Sequence, residues 1–397
     1  MAIKPSPSDS TSNPVQTLTF PALVFAKLAP TTFLTAHLSS PHGPLRPSGR
    51  SPSQVRTPTC HTGSLTHAHG SAVVRCGDTA VVCGVRGEIL RAEDIPDYKP
   101  QPEEDARRDY EDEQDEQALK ITIMAEEEKK LAEIGSGGHN RNSQSPDRGN
   151  EDEQGRRKRI RREDSEEMAR LGLLVPNLEL ATGCSPDNLP GGPPSLLAQT
   201  LTQRILTLLH TTHLLRMGDL RLWFHPRAPS STPFKPADEG EDEDLARPSV
   251  KAFWALYIDI LFISLDGNAF DAAWLSVLAA LKDTRLPRAW WDGDRETVLC
   301  SDDPSEARVL DLYDMPVALS FGIFEGDGES KGKRWVLVDM DGFEEGQCRE
   351  GGTVVVGDGG RVVRIEKDGR GMVGVKEVRD LVERAKERRM EWIGVLG

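Results

Sequence analysis

The sequence predicts an α+β fold built from two similar halves, each a β-sheet with helices packed on it. Short alternating or continuously apolar runs, separated by Gly-Asp turns, recur in both parts of the chain. One apolar run, Leu256 to Ile263, leads almost directly into a second apolar segment, Phe270 to Leu281. The first is short and rich in β-branched and aromatic residues, which suits a buried strand; the second is long enough for a helix. Runs of strands and helices in this order belong to α+β architecture. A length of 397 residues holds two or three domains, but 37% apolar residues with 27 Pro and 36 Gly leave much of the chain outside any core.

Residues 1 to 19 are rich in Ser, Thr and Pro and are expected to be disordered. Phe20 to Leu38 reads as one short amphipathic helix, ended by the Pro/Gly/Ser-rich stretch from Ser39 to Ser53. Gly70–Cys76 and Ala80–Glu88 flank Gly77-Asp78-Thr79 and predict a β-hairpin. From about Asp97 to Glu167 the composition shifts to that of a long disordered charged insertion in a surface loop, tolerated at modest entropic cost. It holds an exposed helix at Glu111–Ile134, a low-complexity linker at Gly135–Gly155 and a basic block at Arg156–Arg162.

The core resumes at Leu171–Leu180, and the Pro186–Pro194 loop leads into a helix from Ser195 to about Leu215. Arg221–Phe224 is a strand, and the acidic run Asp238–Asp244 lies in a second surface loop, about 229–248. Asp266 is placed to cap the helix at Phe270–Leu281, with Asp271 as a favourable first-turn charge. That helix is apolar on nearly every face, so it is expected to be buried in a sizeable domain or between subunits. Pro287–Pro304 reads as a connection. Strands follow at Val317–Ile323 and Arg334–Met340, and Thr353–Val356 and Arg361–Ile365 form a hairpin around Gly357–Gly360. The helix from Val375 to about Trp392 puts Val375, Val378, Leu381, Val382 and Ala385 on one face. The domains expected are an N-terminal extension at 1–52, a first domain at 53–290 and a second at 291–397.

The net charge of −15 is unevenly placed. Glu103–Glu153 holds 17 acidic and 7 basic residues, Asp238–Asp244 contributes −6 and Arg156–Arg162 contributes +6. The folded part is therefore only mildly acidic, and an RNA partner is not excluded. The six cysteines form no CxxC pair and follow no secretory signal, so free thiols in a reducing compartment are expected, without structural zinc. No apolar run approaches the ~20 residues of a membrane span, and a soluble intracellular chain is expected.

The chain contains no GxxxxGK[ST] and no HExxH. His67-x-His69 and His210-x-x-His213 each lack an obvious third ligand, which favours ordinary surface or half-buried histidines over metal sites. Asp259, Asp266 and Asp271 invite a magnesium reading. Capping and dipole roles suffice for the last two, and Asp259, inside an apolar strand, reads as a buried carboxylate held by hydrogen bonds. The basic block suits nuclear import, an RNA patch or a solvated charge run. Strand, tight loop Asp266–Phe270 and helix N-terminus together make a natural anion or phosphate cradle.

These pieces together resemble the RNase PH family. Arg46-Pro47-Ser48-Gly49-Arg50 looks like its opening motif, and Gly70–Val85 matches its first hairpin. Val175–Leu180 and Gly191–Pro194 narrow the likeness to the eukaryotic RNA exosome ring, as do Asp266–Ala273 and Ala279–Pro287. The resemblance runs from Phe20 to the C-terminus, interrupted by the insertion. Active members are phosphorolytic 3′→5′ exoribonucleases whose central strand and loop read Asp-Cys-Asp-Val-Leu-Gln-Ala-Asp-Gly-Gly-Thr-Arg. Here the first Asp is kept as Asp259, the second is Leu261, the third is Asp266, and the phosphate-binding Thr-Arg is Ala269-Phe270. In the preceding helix, Gln199–Arg204 keeps one of two arginines.

Phosphorolysis brings an anionic nucleophile to an anionic backbone, and losing one preorganised donor commonly costs on the order of 10² to 10³ in rate. The resemblance therefore implies a non-catalytic ring subunit with no catalytic, cofactor-binding or metal-binding residues. It implies as partners other RNase PH-like subunits, paired as pseudo-dimers in a hetero-hexameric ring, together with RNA-binding cap subunits, a hydrolytic nuclease and single-stranded RNA, in nucleus, nucleolus and cytoplasm. Arg75, Arg86, Arg91 and Arg204 are candidate RNA contacts, each equally suited to a salt bridge. An active phosphate-dependent exoribonuclease and a free RNA-binding module are the alternatives.

Overall fold

The computed structural model describes residues 21–396 apart from 42, 97, 99–161, 187, 190–192, 225–248 and 370–372. The expected disordered N-terminus, the acidic loop at 229–248, Gly191-Gly192 and most of the charged insertion, including Arg156–Arg161, lie outside the described residues.

The first sheet grows from the Gly77-Asp78 turn. Gly77 has φ 62°, which a two-residue hairpin turn demands and which suits glycine. That turn joins β2 (Gly70–Cys76) to β3 (Thr79–Arg91), and β1 (Pro58–Thr62) pairs with β2. β4 (Leu174–Leu180), β5 (Arg221–Phe224) and β6 (Ser249–Ser264) complete six strands, five in the order β1-β2-β3-β6-β4 and β5 paired to β6. β6 is the spine. Its long run pairs antiparallel with β3, while on its other side β5 takes residues 249–253 and β4, in parallel, takes 256–262.

Two short antiparallel pairs follow, β7 (Arg285–Leu286) with β10 (Arg308–Val309) and β8 (Ala289–Asp292) with β9 (Thr297–Cys300). The second sheet comprises β11 (Val317–Glu325), β12 (Arg334–Val338), β13 (Glu350–Val356) and β14 (Val362–Asp368), all antiparallel, in the order β12-β11-β13-β14. Its β13–β14 hairpin turns through Gly357–Gly360, as expected. β12 stops at Val338, two residues short of expectation, because Asp339 turns left-handed at φ 48°.

Between the sheets lies the helix Ala269–Asp283, every residue from Ala269 to Leu281 buried. It packs on β2 and β3 with one side and on β11 with another. Its all-round apolarity is thus satisfied within the chain and needs no neighbouring subunit. Trp274, fully buried, donates its indole N–H to the Pro316 carbonyl at 2.7 Å. The main core runs through this helix, joining first-sheet residues such as Val81 and Ile258 to Val317, Ala318 and Val355 of the second sheet. Helix Val375–Leu396 covers the second sheet with Leu381, Ala385 and Trp392, while Val375, expected on that face, is exposed. Helix Leu196–Thr211 caps itself with Ser195, whose Oγ accepts the Ala198 N–H, and ends before the predicted Leu215.

Three expectations are corrected by the packing. Phe20–Leu38 is broken into Ala22–Leu28 and Pro30–Leu38, because Pro30 cannot continue a helix but starts one well. Pro287–Pro304 contains a hairpin, Ala289–Asp292 with Thr297–Cys300. The charged insertion ends sooner than Glu167: residues 162–171 form a helix that buries Met168 and pairs Glu167 with Arg221 at 2.6 Å. At the other end Tyr98 packs edge-on against Phe253. All six cysteines are free.

A Cβ on Gly70 would lie 2.4–2.5 Å from Thr284 and the Ala280 carbonyl, so Gly70→Ala should cost at least about 1–3 kcal/mol, read as a lower urea midpoint. Burial pushes the Cys76 thiol up to about 11 and Cys83 higher still, whereas Cys300 is exposed. A thiol reagent at pH 8 should therefore label Cys300 quickly and reach Cys76 and Cys83 only after denaturation.

Candidate functional site

The chain leaves β6 at Ser264 and enters the buried helix at Ala269 through a loop with two consecutive left-handed residues, Gly267 (φ 70°) and Asn268 (φ 49°). A Cβ on Gly267 would sit 2.5–2.7 Å from the backbone of Met340, Asp341 and Gly342, so glycine is required there. Thr79, at the start of β3, staples the loop: its hydroxyl accepts the Asp266 N–H and donates to the Gly267 carbonyl, both at 2.9 Å.

Asp339, fully buried, is the charged centre of the arrangement. Its carboxylate accepts from the Arg56 guanidinium at 2.9 and 3.2 Å and from the Asn268 amide at 2.6 Å. Burial pushes the Asp339 carboxyl up, but the Arg56 hydrogen bond and the charges of Arg388 and Arg56 outweigh it and hold it at about 2. Arg56 also donates to the carbonyls of Asp266 and Met340, so one guanidinium ties the loop to the segment that follows β12. From the N-terminal arm, Arg46 donates to the Asp339 carbonyl and to Glu344 at 3.2 Å each, with only 1% of its surface exposed. Arg50 reaches the same carbonyl at 2.9 Å. The Arg46–Arg50 motif is thus a structural clasp.

The aspartates take other roles than those expected. Asp266 does not cap the helix it precedes; its Oδ1 accepts the Gly342 N–H at 3.1 Å, at the start of helix Gly342–Gln347. Asp271 is a buried pin: it accepts Ser320 N–H and Oγ–H at 3.0 and 2.7 Å and lies 3.7 Å from buried Arg388. Burial is the main cause of its raised pKa. Asp259 is not buried. Strand alternation turns it to the open face, where it is 47% exposed and pairs with Arg86 at 3.4 Å.

The anion cradle is occupied by the chain itself. Asn268, which opens the helix, gives its backbone N–H to the Glu345 carboxylate at 2.7 Å. Two residues on, Phe270 packs under the guanidinium of Arg204, 3.8 Å from the ring centroid. That guanidinium is also committed to Glu366 at 2.7 Å and to the Thr353 hydroxyl at 2.8 Å. The other candidate RNA arginines are also paired: Arg75 with Asp78, Arg86 with Glu88 and Asp259, Arg91 with Glu93 and Asp94. His69 accepts the Gly87 N–H through Nδ1 and sits edge-on to Trp254. Among the described residues no group of three His, Cys, Asp or Glu is placed to hold a metal ion, and no helix is long and apolar enough to cross a membrane.

The strand, the loop and the buried helix carry a family signature. The model of the 3′ exoribonuclease family, domain 1 (RNase PH), matches residues 54–126 and 152–287. This chain belongs to the RNase PH family. It is 25% identical over 355 residues to exosome complex component rrp43 of Schizosaccharomyces pombe, covering 89% of this chain and 90% of that protein. It is 32% identical over 132 residues to exosome complex component rrp45 of the same organism, covering 32% of this chain and 41% of that one. Among solved structures, a chain of the Archaeoglobus fulgidus exosome with RNA bound to the active site superposes with a TM-score of 0.53. At 18% identity, covering 93% of this chain and 99% of the other, that likeness is one of fold, and the RNase PH fold of two sheet-plus-helix halves is the fold seen here.

Sequence reasoning found the loop and missed its surroundings. Arg56, Asp339, Glu345 and Arg388 gave no local signal, since 283 residues separate Arg56 from Asp339. The one hint was the Arg-rich stretch from Arg46 to Arg56, which needed acidic partners somewhere.

Because Asp339 is buried and paired, Arg56→Ala should cost about 3–5 kcal/mol by stranding its charge. Asp339's share of the stability is present above about pH 4, the range of an unfolded aspartate, and is lost as pH falls towards about 2. Melting curves from pH 5 to pH 2 should accordingly show a shallower acid slope for Asp339→Asn, from a lower starting stability, than for the parent chain.

Proposed function

We propose that this RNase PH family member is a non-catalytic ring subunit of the RNA exosome, a scaffold that supports 3′→5′ RNA processing and decay, including ribosomal RNA maturation. The observation that carries the reading is the Asp266–Phe270 loop. A phosphorolytic site needs cationic and N–H donors free to meet phosphate. Here the Asn268 N–H is held by Glu345, a phenylalanine stands at position 270, and Arg204 is bound to Glu366 and Thr353. Glu345 takes the N–H donor that a phosphate would need.

The names of the relatives support the ring assignment: two exosome components of one organism, one of them similar along nearly its whole length. In this reading the partners are other RNase PH-like subunits, with RNA-binding cap subunits and a hydrolytic nuclease attached to the assembled ring. Single-stranded RNA is held by sequence-independent contacts. Nuclear and nucleolar residence, with a cytoplasmic pool, belongs to the same proposal, with Arg156–Arg162 as the candidate import signal.

Incubation of the purified chain with oligoadenylate and inorganic phosphate should release no nucleoside diphosphate above background; their release would overturn the non-catalytic reading in favour of an active phosphorolytic enzyme. Affinity purification from native extract should return RNase PH-like partners in near-equal amounts. Recovery as a monomer bound to RNA alone would favour a free RNA-binding module.

A further inference from the structure

A cluster of buried polar atoms at the joint between the two halves has no hydrogen-bond partner among the described residues. Arg388 on the last helix is 1% exposed, yet its Nε, Nη1 and Nη2 donate to no protein atom there. One turn on, the Trp392 Nε1–H has no acceptor, and in the turn before the central helix the Asn268 Oδ1 has no donor. These side chains are neighbours. The guanidinium lies 5.4 Å from the centre of the Trp392 ring and 3.7 Å from Asp271 Oδ2, which accepts the Asn268 amide at 2.9 Å.

The contacts already made do not satisfy these groups. A ring engages the face of a guanidinium, whereas its N–H groups lie in its plane. At 3.7 Å the Asp271 oxygen attracts the charge of Arg388 but stands too far off to take a hydrogen bond. The Asn268 Nδ2 is spent on two carboxylates, Asp271 at 2.9 Å and Asp339 at 2.6 Å. Reversing that amide would set its oxygen against both of them, so Oδ1 must find a donor elsewhere.

A buried N–H or carbonyl left unpaired costs about as much as a lost hydrogen bond, and protein interiors fill such positions with ordered water. The charges here select a neutral molecule. An anion drawn to Arg388 would meet the carboxylates of Asp271 and Asp339. A metal cation would meet the guanidinium, and no group of three metal-ligating side chains converges among the described residues. The occupant must also accept from Arg388 and Trp392 while donating to Asn268, and water does both.

We propose that the joint between the halves contains a buried water site, where at least one ordered water accepts from the Arg388 guanidinium and donates to Asn268 Oδ1 or to a carboxylate oxygen of Asp271 or Asp339. This water ties the last helix to the loop that opens the central helix. The site does not depend on whether that loop is catalytic.

A crystal structure of the full-length chain, alone or in its complex, tests this with no substitution. A water peak is expected within about 3.2 Å of an Arg388 nitrogen and of an Asn268, Asp271 or Asp339 oxygen. Magnetic relaxation dispersion of the water oxygen nucleus counts waters held longer than the molecule tumbles. That count should fall by one or more in Arg388→Met, which keeps an unbranched side chain but removes the donors. A structure in which every Arg388 nitrogen bonds directly to a protein oxygen, an ion seated on the guanidinium, or a water count unchanged in a folded Arg388→Met would each overturn the proposal. If Arg388→Met does not fold, the crystal structure of the parent chain decides.

Discussion

One buried carboxylate holds the functional end of this molecule together. Asp339 receives a guanidinium from the strand-leading segment of the first half, an amide from the loop that opens the central helix, and the charge of Arg388 from the last helix. No hydrophobic contact could impose that geometry, because burial is not directional whereas a carboxylate accepting several hydrogen bonds fixes each donor in place. The left-handed turn at Asp339 and the glycine at 267 are the backbone conformations this arrangement requires. Arg46 and Arg50 then fasten the N-terminal arm over the same point.

This clasp joins the two sheets at the place where the family's fold presents a helix N-terminus. The central helix is apolar on all sides because sheets lie on two of them, and its first amide is turned towards whatever anion is near. In this chain its partner is the Glu345 side chain, delivered by the short helix that Asp266 helps to start. The same fold can thus carry a reactive loop or a sealed one, since the difference lies in a few side chains on an unchanged frame.

Most of the sheet strands, the Gly77-Asp78 turn and the central strand–loop–helix were legible because each is a local pattern: alternation, a turn dipeptide, an apolar run of the right length. Other readings failed where local rules met long-range contacts. Residues 162–167 read as solvated charge, yet Glu167 pairs with Arg221 and the helix they begin buries Met168. Asp259 read as buried because its neighbours are apolar, but strand alternation alone puts it on the open face. Asp266 read as a cap for the next helix, and its side chain instead serves a helix that begins 76 residues later.

The sequence by itself determined the family, most of the element order and the Ala269-Phe270 pair that ends the loop, because these reside in residue identities along a continuous stretch. Only the tertiary structure decided that Glu345 fills the anion seat, that Arg204 is spent on Phe270 and Glu366, and that Asp339 is the joint between the halves. The reason is physical. A charge's role is set by which opposite charge is within reach and how much water is excluded, and both depend on segments that the chain brings together only on folding.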